Sequence, residues 1–219
     1  AIIHEQGGNL YVSNGSHVWA FQNFKGTPKF IKDVKLFYIS PKGKVLSCNN
    51  SNQISCFNSI AEFENSGNAA WRKDFTENIT ALSINQTESG FVLGTNNGKM
   101  VIGNLQDGEL MKVNGIKDNE FPRLHLSRIS EIMWVNNLNH DETIISAGYD
   151  HTLRMITMKD VRSGNISSDA LRLDIHKSWI YGMEWISIEN DHGGVLSWSE
   201  DKVLKYSLLS SEGLSNALK

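Results

Sequence analysis

Two sets of residues in this 219-residue chain have the types and spacing that could do chemistry. His125 is followed by Ser146 and Asp150, and His176 by Ser197 and Asp201, with four residues from Ser to Asp in both sets. An Asp in a tight turn can accept a hydrogen bond from an imidazole and fix its tautomer, leaving the second ring nitrogen to reach a hydroxyl. The same residue types make a nucleophile when the hydroxyl faces a substrate. Other chemistry is less well supplied. Among seven histidines, His140 and His192 each sit beside an aspartate, Asp141 and Asp191, in separate loops. A zinc ion needs three or four ligands within about 2.3 Å, so these read as solvated loop residues and no metal is expected. The chain has no nucleophile elbow, no phosphate-cradling glycine loop and no zinc-protease helix. Gly7-Gly8 and Gly193-Gly194 read as turn pairs. The acid pairs Glu189/Asp191 and Glu200/Asp201 show no sign of the shared desolvated pocket that tunes a catalytic carboxylate. Neither a cofactor nor an enzymatic activity is expected.

The elements that carry these residues are hairpins. IISAGYDHTLRM, from Ile144, runs as a strand through Ser146, turns at Gly148-Tyr149-Asp150 and leaves as a second strand from Thr152. Versions of it recur as VLSCNNSNQISCF from Val45, FVLGTNNGKMVIG from Phe91 and VLSWSEDKVLKYS from Val195, with NLYVSNGSHVWAF from Asn9 nearer the start. Asn, Ser, Asp or Gly stands at each turn, where such residues tolerate the backbone angles. Before four of these hairpins lies a strand with apolar residues at one, four and six. These are Val34/Phe37/Ile39, Ile79/Leu82/Ile84, Ile129/Ile132/Trp134 and Ile180/Met183/Trp185, starting 45, 50 and 51 residues apart. Trp134 and Trp185, at the last position, are expected in the core between units. Weaker outer segments follow at 69–75, 123–126 and 170–175.

Four-stranded units at this period spell an all-β chain folded as a β-propeller of antiparallel blades. The reading is about five blades, near 1–30, 31–66, 67–115, 116–165 and 166–219, belonging to one propeller segment. The first is expected to be incomplete, its inner strand either residues 1–5 or absent. Residues 210–219 are expected to be a last outer strand or a linker.

Composition limits the class of partner. Hydrophobic residues make up 40% and charged residues 21%, with a net charge of −3 of mixed sign. No Lys/Arg block offers a dominant grip on nucleic acid or an anionic membrane, and no apolar run approaches the roughly 20 residues of a membrane-spanning helix. The start at Ala1, without Met or a charged-then-apolar leader, reads as a mature chain or an excised domain. Cys48 and Cys56 are too few for a disulfide framework or a zinc site. Reduced, partly buried thiols are expected, and with them a cytoplasmic setting.

The two C-terminal units go further than an apolar rhythm. His125 and His176 each stand four residues before the inner strand, and Ser146/Asp150/Thr152 and Ser197/Asp201 follow. In this the chain resembles the WD-repeat β-propeller family. The resemblance implies that His125, Ser146 and Asp150, and His176, Ser197 and Asp201, form structural hydrogen-bond networks, and that the molecule serves as a scaffold. The chain departs from the pattern in that the family's Trp falls on Ile156 and Ser207, its Asp on Asn97 and Ser51 in earlier units, and its His on Phe75, while no Trp-Asp dipeptide occurs. The family usually closes with seven or eight blades, so a count of five implies further blades or a completing partner.

The expected function is therefore a non-enzymatic protein–protein interaction scaffold. Its candidate face is where the outer-to-inner and hairpin turns emerge, with Arg128, Tyr149, His151, Lys177, Trp179 and Glu200, the first, second and fifth being residue types common at interface hot spots. The partner would be another protein or another domain of the same chain, with neither nucleic acid nor membrane, and with self-association if the propeller is open. A rival reading is a sensor or ligand-binding propeller regulating an attached signalling domain, marked by a basic or aromatic pocket on the axis. A third, a propeller hydrolase, would need acids or histidines converging there.

Overall fold

Strand alternation and turn residues place every β-element in one repeated plan. The structure, a computed structural model, describes residues 2–24, 27–65, 67–113, 120–136, 142–164, 166, 172–187, 193–210 and 213–216. Five antiparallel sheets follow one another as the blades of a β-propeller, each sheet ordered as its strands occur in the chain. Blade 1 holds β1 (Ile2–Gln6), β2 (Asn9–Ser13), β3 (His17–Phe21) and β4 (Lys29–Asp33). Blade 2 holds β5 (Leu36–Ile39), β6 (Val45–Cys48), β7 (Gln53–Phe57) and β8 (Trp71–Asp74). Blade 3 holds β9 (Ile79–Ile84), β10 (Gly90–Thr95) and β11 (Met100–Asn104). Blade 4 holds β12 (Ile129–Asn136), β13 (Glu142–Gly148), β14 (Thr152–Thr157) and β15 (Arg172–Asp174). Blade 5 holds β16 (Ile180–Ser187), β17 (Gly193–Ser199), β18 (Leu204–Ser210) and β19 (Gly213–Asn216).

Three details differ from the sequence reading or complete it. Blade 1 is not incomplete: β1 pairs with β2 from Ile2↔Ser13 to Gln6↔Asn9, and β4 supplies its outer strand. Its polar outer strand, KFIKD, hid the element from a reading based on apolar rhythm. The chain's last described segment is an outer strand, β19, paired to β18. Among the described residues the outer position of blade 3 holds no strand, only two isolated bridges, Lys99↔Arg123 and Gly103↔Leu110. Pro122 explains the irregularity, because it accepts from the Met100 N–H at 2.8 Å but has no N–H of its own to continue a ladder.

Two short helices sit between the third and fourth strands of blades 2 and 4. Helix α1 (Ile60–Glu64) starts at Ser59, whose hydroxyl accepts from the Glu62 N–H, and α2 (Met158–Ser163) starts at a Thr157–Asp160 capping box and stops at Gly164 in the left-handed region. They add Phe63, Met158 and Val161 to the core.

The core lies between blades. Phe37, Ile39, Val45 and Phe57 of blade 2 pack on Tyr11, Val18 and Ala20 of blade 1. Leu82, Ile84 and Phe91 of blade 3 meet Leu46, Cys48, Ile54 and Cys56 of blade 2. Ile129, Ile132, Trp134, Ile144 and Ile156 of blade 4 meet Val92, Met100 and Ile102 of blade 3. Ile180, Met183, Val195 and Trp185 of blade 5 meet Ile145, Ala147, Leu153 and Met155 of blade 4. The three-position apolar pattern is thus the face that each blade turns to the one before it. Cys48 and Cys56 are free buried thiols, paired in register with Ile54 and Leu46 rather than with each other, and burial pushes each up to about 11.

Candidate functional site

In blade 4 the hairpin turn brings Asp150 against the loop that enters β12. His125 Nδ1 lies 2.8 Å from Asp150 Oδ1, and its Nε2 lies 2.8 Å from Ser146 Oγ. The Thr152 hydroxyl donates to Asp150 Oδ1 at 2.8 Å, and the Leu126 N–H donates to Oδ2 at 2.9 Å. Burial alone would raise the Asp150 carboxyl, but the bond and charge of His125, with the Leu126 N–H and Thr152, hold it below the usual carboxylate range. Blade 5 repeats the plan: His176 Nδ1 is 3.1 Å from Asp201 Oδ2, its Nε2 is 3.0 Å from Ser197 Oγ, and the Lys177 N–H donates to Asp201 at 2.9 Å. Burial lowers the pKa of His176, partly opposed by Asp201. Ser146 and Ser197 are fully buried, each hydroxyl against its imidazole. These groups fasten turns to entering loops.

Above the networks, the same turns assemble an aromatic surface. Tyr149 and Trp179 stack with ring centroids 4.9 Å apart and planes 3° from parallel. The Arg128 guanidinium lies 5.4 Å from the Tyr149 ring centre, and Tyr181 meets Tyr149 edge-on at 6.3 Å. Backbone bonds hold the arrangement, Tyr149 N–H to the Arg128 carbonyl at 2.9 Å and Glu200 N–H to the Trp179 carbonyl at 3.0 Å. Glu200 also accepts from the Ser178 hydroxyl at 2.6 Å. Arg128, Lys177 and Glu200 are exposed and His151 is half-buried, with its backbone in the left-handed region at φ 70°. Trp179 remains 45% exposed and Tyr181 46%. Sequence reasoning did not single out Tyr181, although its place one residue into an inner strand was visible.

Towards blade 2 the surface becomes cationic. Lys35 Nζ donates to Asn52 Oδ1 and Asn78 Oδ1, both at 2.8 Å. Burial and the nearby Arg128 charge lower its pKa. Among the described residues neither Lys35 nor Arg128 has a carboxylate partner.

The axis holds a second group that the sequence did not reveal. His4, Tyr38, Ser83, Met133 and Glu184 occupy the same register position on the five inner strands, opposite Tyr11, Leu46, Val92, Ile145 and Leu196. Glu131 joins them, its carboxyl raised to about 7 by burial and by Glu184. Burial and both carboxylates also raise the Tyr38 phenol, partly opposed by Ser83. His4 sits edge-on to Tyr38 at 5.2 Å, and burial lowers it to about 4. Acids and a histidine, the groups that the hydrolase alternative requires, do therefore converge near the axis, and among the described residues no hydrogen bond joins Ser83 to His4 or to either carboxylate. On the other side of the molecule a cleft of about 310 Å³ opens between blades 3 and 4, beside Trp134, Glu142 and Arg162.

His140, His192, Asp141, Glu189 and Asp191 lie outside the described residues. No group of three or more metal-ligating side chains occurs among the described residues, and no described helix is long and apolar enough to cross a membrane. No family model matches the chain, and no curated protein matches it.

Proposed function

We propose that this chain is a divergent WD-repeat-like propeller acting as a non-enzymatic interaction module, binding another protein, or another domain of its own chain, through the loop face of blades 4 and 5. The stacked Arg128–Tyr149–Trp179 group, with Tyr181 beside it, carries the reading. Trp and Tyr rings left near half-exposed and held by neighbouring backbone are the anchors that partner surfaces desolvate. Lys35 and Arg128, with no carboxylate partner among the described residues, suit an acidic partner segment. The twin His–Ser–Asp arrangements support the family reading, although Ile156 and Ser207 stand where the family has Trp. Free buried thiols suit a reducing, cytoplasmic setting.

The test is capture by immobilised wild-type protein beside Trp179→Ala and Arg128→Glu variants of equal thermal stability. A specific protein retained by the wild type should bind Trp179→Ala about thirtyfold less, the loss of a hot spot worth about 2 kcal/mol. Identical capture by all three would sink the proposal. A second reading, a ligand-sensing propeller, draws on Glu131, Glu184 and Tyr38 at the axis. It would be favoured by a small molecule whose stabilising effect on melting disappears in Glu131→Gln.

A further inference from the structure

The inner strands of blades 2 to 5 share more than the apolar pattern, because the residue after its first position is irregular in each. Thr80, Ser130 and Tyr181 are each the extra residue of a β-bulge, skipped by the pairing on either side. In blade 2 the same place falls to Lys35, whose N–H donates to the Cys48 carbonyl at 2.8 Å while Leu36 is the residue paired with Cys48. A bulge re-aims its side chain, and here it does so at the loop-face end of the strands that surround the axis. Thr80 and Ser130 are short, and their hydroxyls turn back to the Ile129 and Ala147 carbonyls. Lys35 and Tyr181 are long and carry a charge and a ring to the rim.

Lys35 and Arg128 make that rim cationic. The Lys35 ammonium has three N–H groups and spends two of them, on Asn52 and Asn78. Arg128 is near enough for each positive charge to act on the other. Its guanidinium lies over the Tyr149 ring, and among the described residues none of its N–H groups has an acceptor. Acids of the same face are engaged elsewhere: Asp33 with His17, Glu77 with Lys99 at 2.7 Å and Glu200 with the Ser178 hydroxyl at 2.6 Å. Two unneutralised cations side by side call for a dianion. A carboxylate neutralises one of them, whereas a phosphate ester carries about −1.5 to −2 and three acceptor oxygens for the guanidinium fork and the ammonium together. The pair is built by blades 2, 3 and 4, each of which has a neighbour on both sides.

The rings set the length of what binds. From Arg128 to Tyr149 to Trp179 the centres step by 5.4 Å and 4.9 Å, so Arg128 and Trp179 lie within about 10 Å, which about three residues of extended chain cover. A free anion would meet the cations and leave the exposed Trp179 and Tyr181 rings untouched.

We propose that this rim binds a phosphorylated side chain in an extended segment of a protein partner, with Lys35 and Arg128 on the phosphate and Trp179 and Tyr181 on an apolar side chain two or three residues away. The inference rests on the loop-face reading above and names the chemistry of its partner.

Peptide pools test it, each randomised around one fixed centre: phosphoserine, phosphothreonine or phosphotyrosine, their unphosphorylated forms, and glutamate. Immobilised wild-type chain should retain a phosphorylated pool at least about tenfold over its unphosphorylated form and over the glutamate pool. Arg128→Gln and Lys35→Gln, checked by thermal melting, should each lose that preference; Arg128 is exposed, so its variant decides the matter even where Lys35→Gln lowers the melt. Sequencing of the retained peptides should show large apolar residues two or three positions from the phosphate, an enrichment lost in Trp179→Ala while the phosphate preference stays. Equal retention of phosphorylated and glutamate pools, a phosphate preference indifferent to Arg128→Gln, or displacement by inorganic phosphate as effective as by a retained peptide would each overturn the proposal. A captured protein that needs Trp179 but still binds after dephosphorylation would sink it and leave the loop-face reading standing.

Discussion

Asp150 accepts from an imidazole, a hydroxyl and a backbone N–H at once, so its charge is compensated in the folded chain and solvated in the unfolded one. Asp150→Asn should destabilise the protein by about 2–3 kcal/mol, because it leaves buried donors short of a charged acceptor. Urea titration at neutral pH measures this. With its folded pKa depressed below 3.8, the contribution is present above about pH 4 and is lost as pH falls further. Glu131 behaves in the opposite sense. Its folded pKa is raised to about 7, so the folded state keeps the proton longer. Its stabilising contribution is whole below about pH 4.5 and is lost as pH rises towards 7. Glu131→Gln should therefore match the wild type near pH 4 and exceed it by about 1–3 kcal/mol at pH 8 in the same titration. Equal stability of the two proteins at pH 8 would count against a desolvated carboxylate. The His125 set was legible because all its members lie within one repeat and in fixed spacing. Glu131, Tyr38 and Glu184 come from three blades, and no local spacing relates them.

The hairpins were the most legible elements, since turn residues and alternation coincide in each. Their turns share a backbone detail that composition only partly shows. Asn52, Gly98, His151 and Lys202 all adopt positive φ at equivalent places after strands β6, β10, β13 and β17. Only Gly98 is free of Cβ strain there, and it also lies under the next blade's entering loop, where a Cβ would come within 2.0 Å of the His125 carbonyl oxygen. Gly98→Ala should thus cost more than the roughly 1 kcal/mol of a strained turn, at about 3 kcal/mol or more, with loss of soluble protein as the simplest reading. His151→Gly should do the reverse and add up to about 1 kcal/mol in a thermal melt. The outer strands were less legible. Strand β15 is only Arg172–Asp174 with exposed ends, and the outer position of blade 3 is interrupted by Pro122. Such edges are held by backbone bonds with little apolar burial, so their sequences carry little pattern. The short helices escaped for a related reason, since one turn of helix has no periodicity to read.

At the scale of the molecule, stability resides in contacts between neighbours, as expected for a quasi-linear repeat array. Blades 2, 3 and 4 each contribute to two apolar clusters, while blades 1 and 5 contribute to one. Hydrogen exchange by mass spectrometry should therefore show the slowest amides in β9, β10 and β12, with faster exchange in β2, β3, β17 and β18. Uniform protection across the five blades would mean that one cooperative unit spans the array. The number of blades could be read from the hairpins, four of them preceded by the apolar pattern; the exposure of Trp198 and Leu204 could not, because Leu196, Trp198, Leu204 and Tyr206 look as apolar as their buried counterparts.

Blades 1 to 4 each turn two cross-strand pairs of their middle strands to the next blade, as Ile145↔Met155 and Ala147↔Leu153 do in blade 4, and these pairs also govern how such a chain can change in length. A blade that offers them on one side and the three-position pattern on the other presents the same register positions at every joint, with side chains that differ from joint to joint. Duplication or loss of one whole repeat, from one inner strand to the next, leaves each remaining joint matched. Loss of half a repeat sets two inserting faces, or two receiving ones, against each other. Variation in the size of this molecule is therefore quantised, and the natural step is one blade.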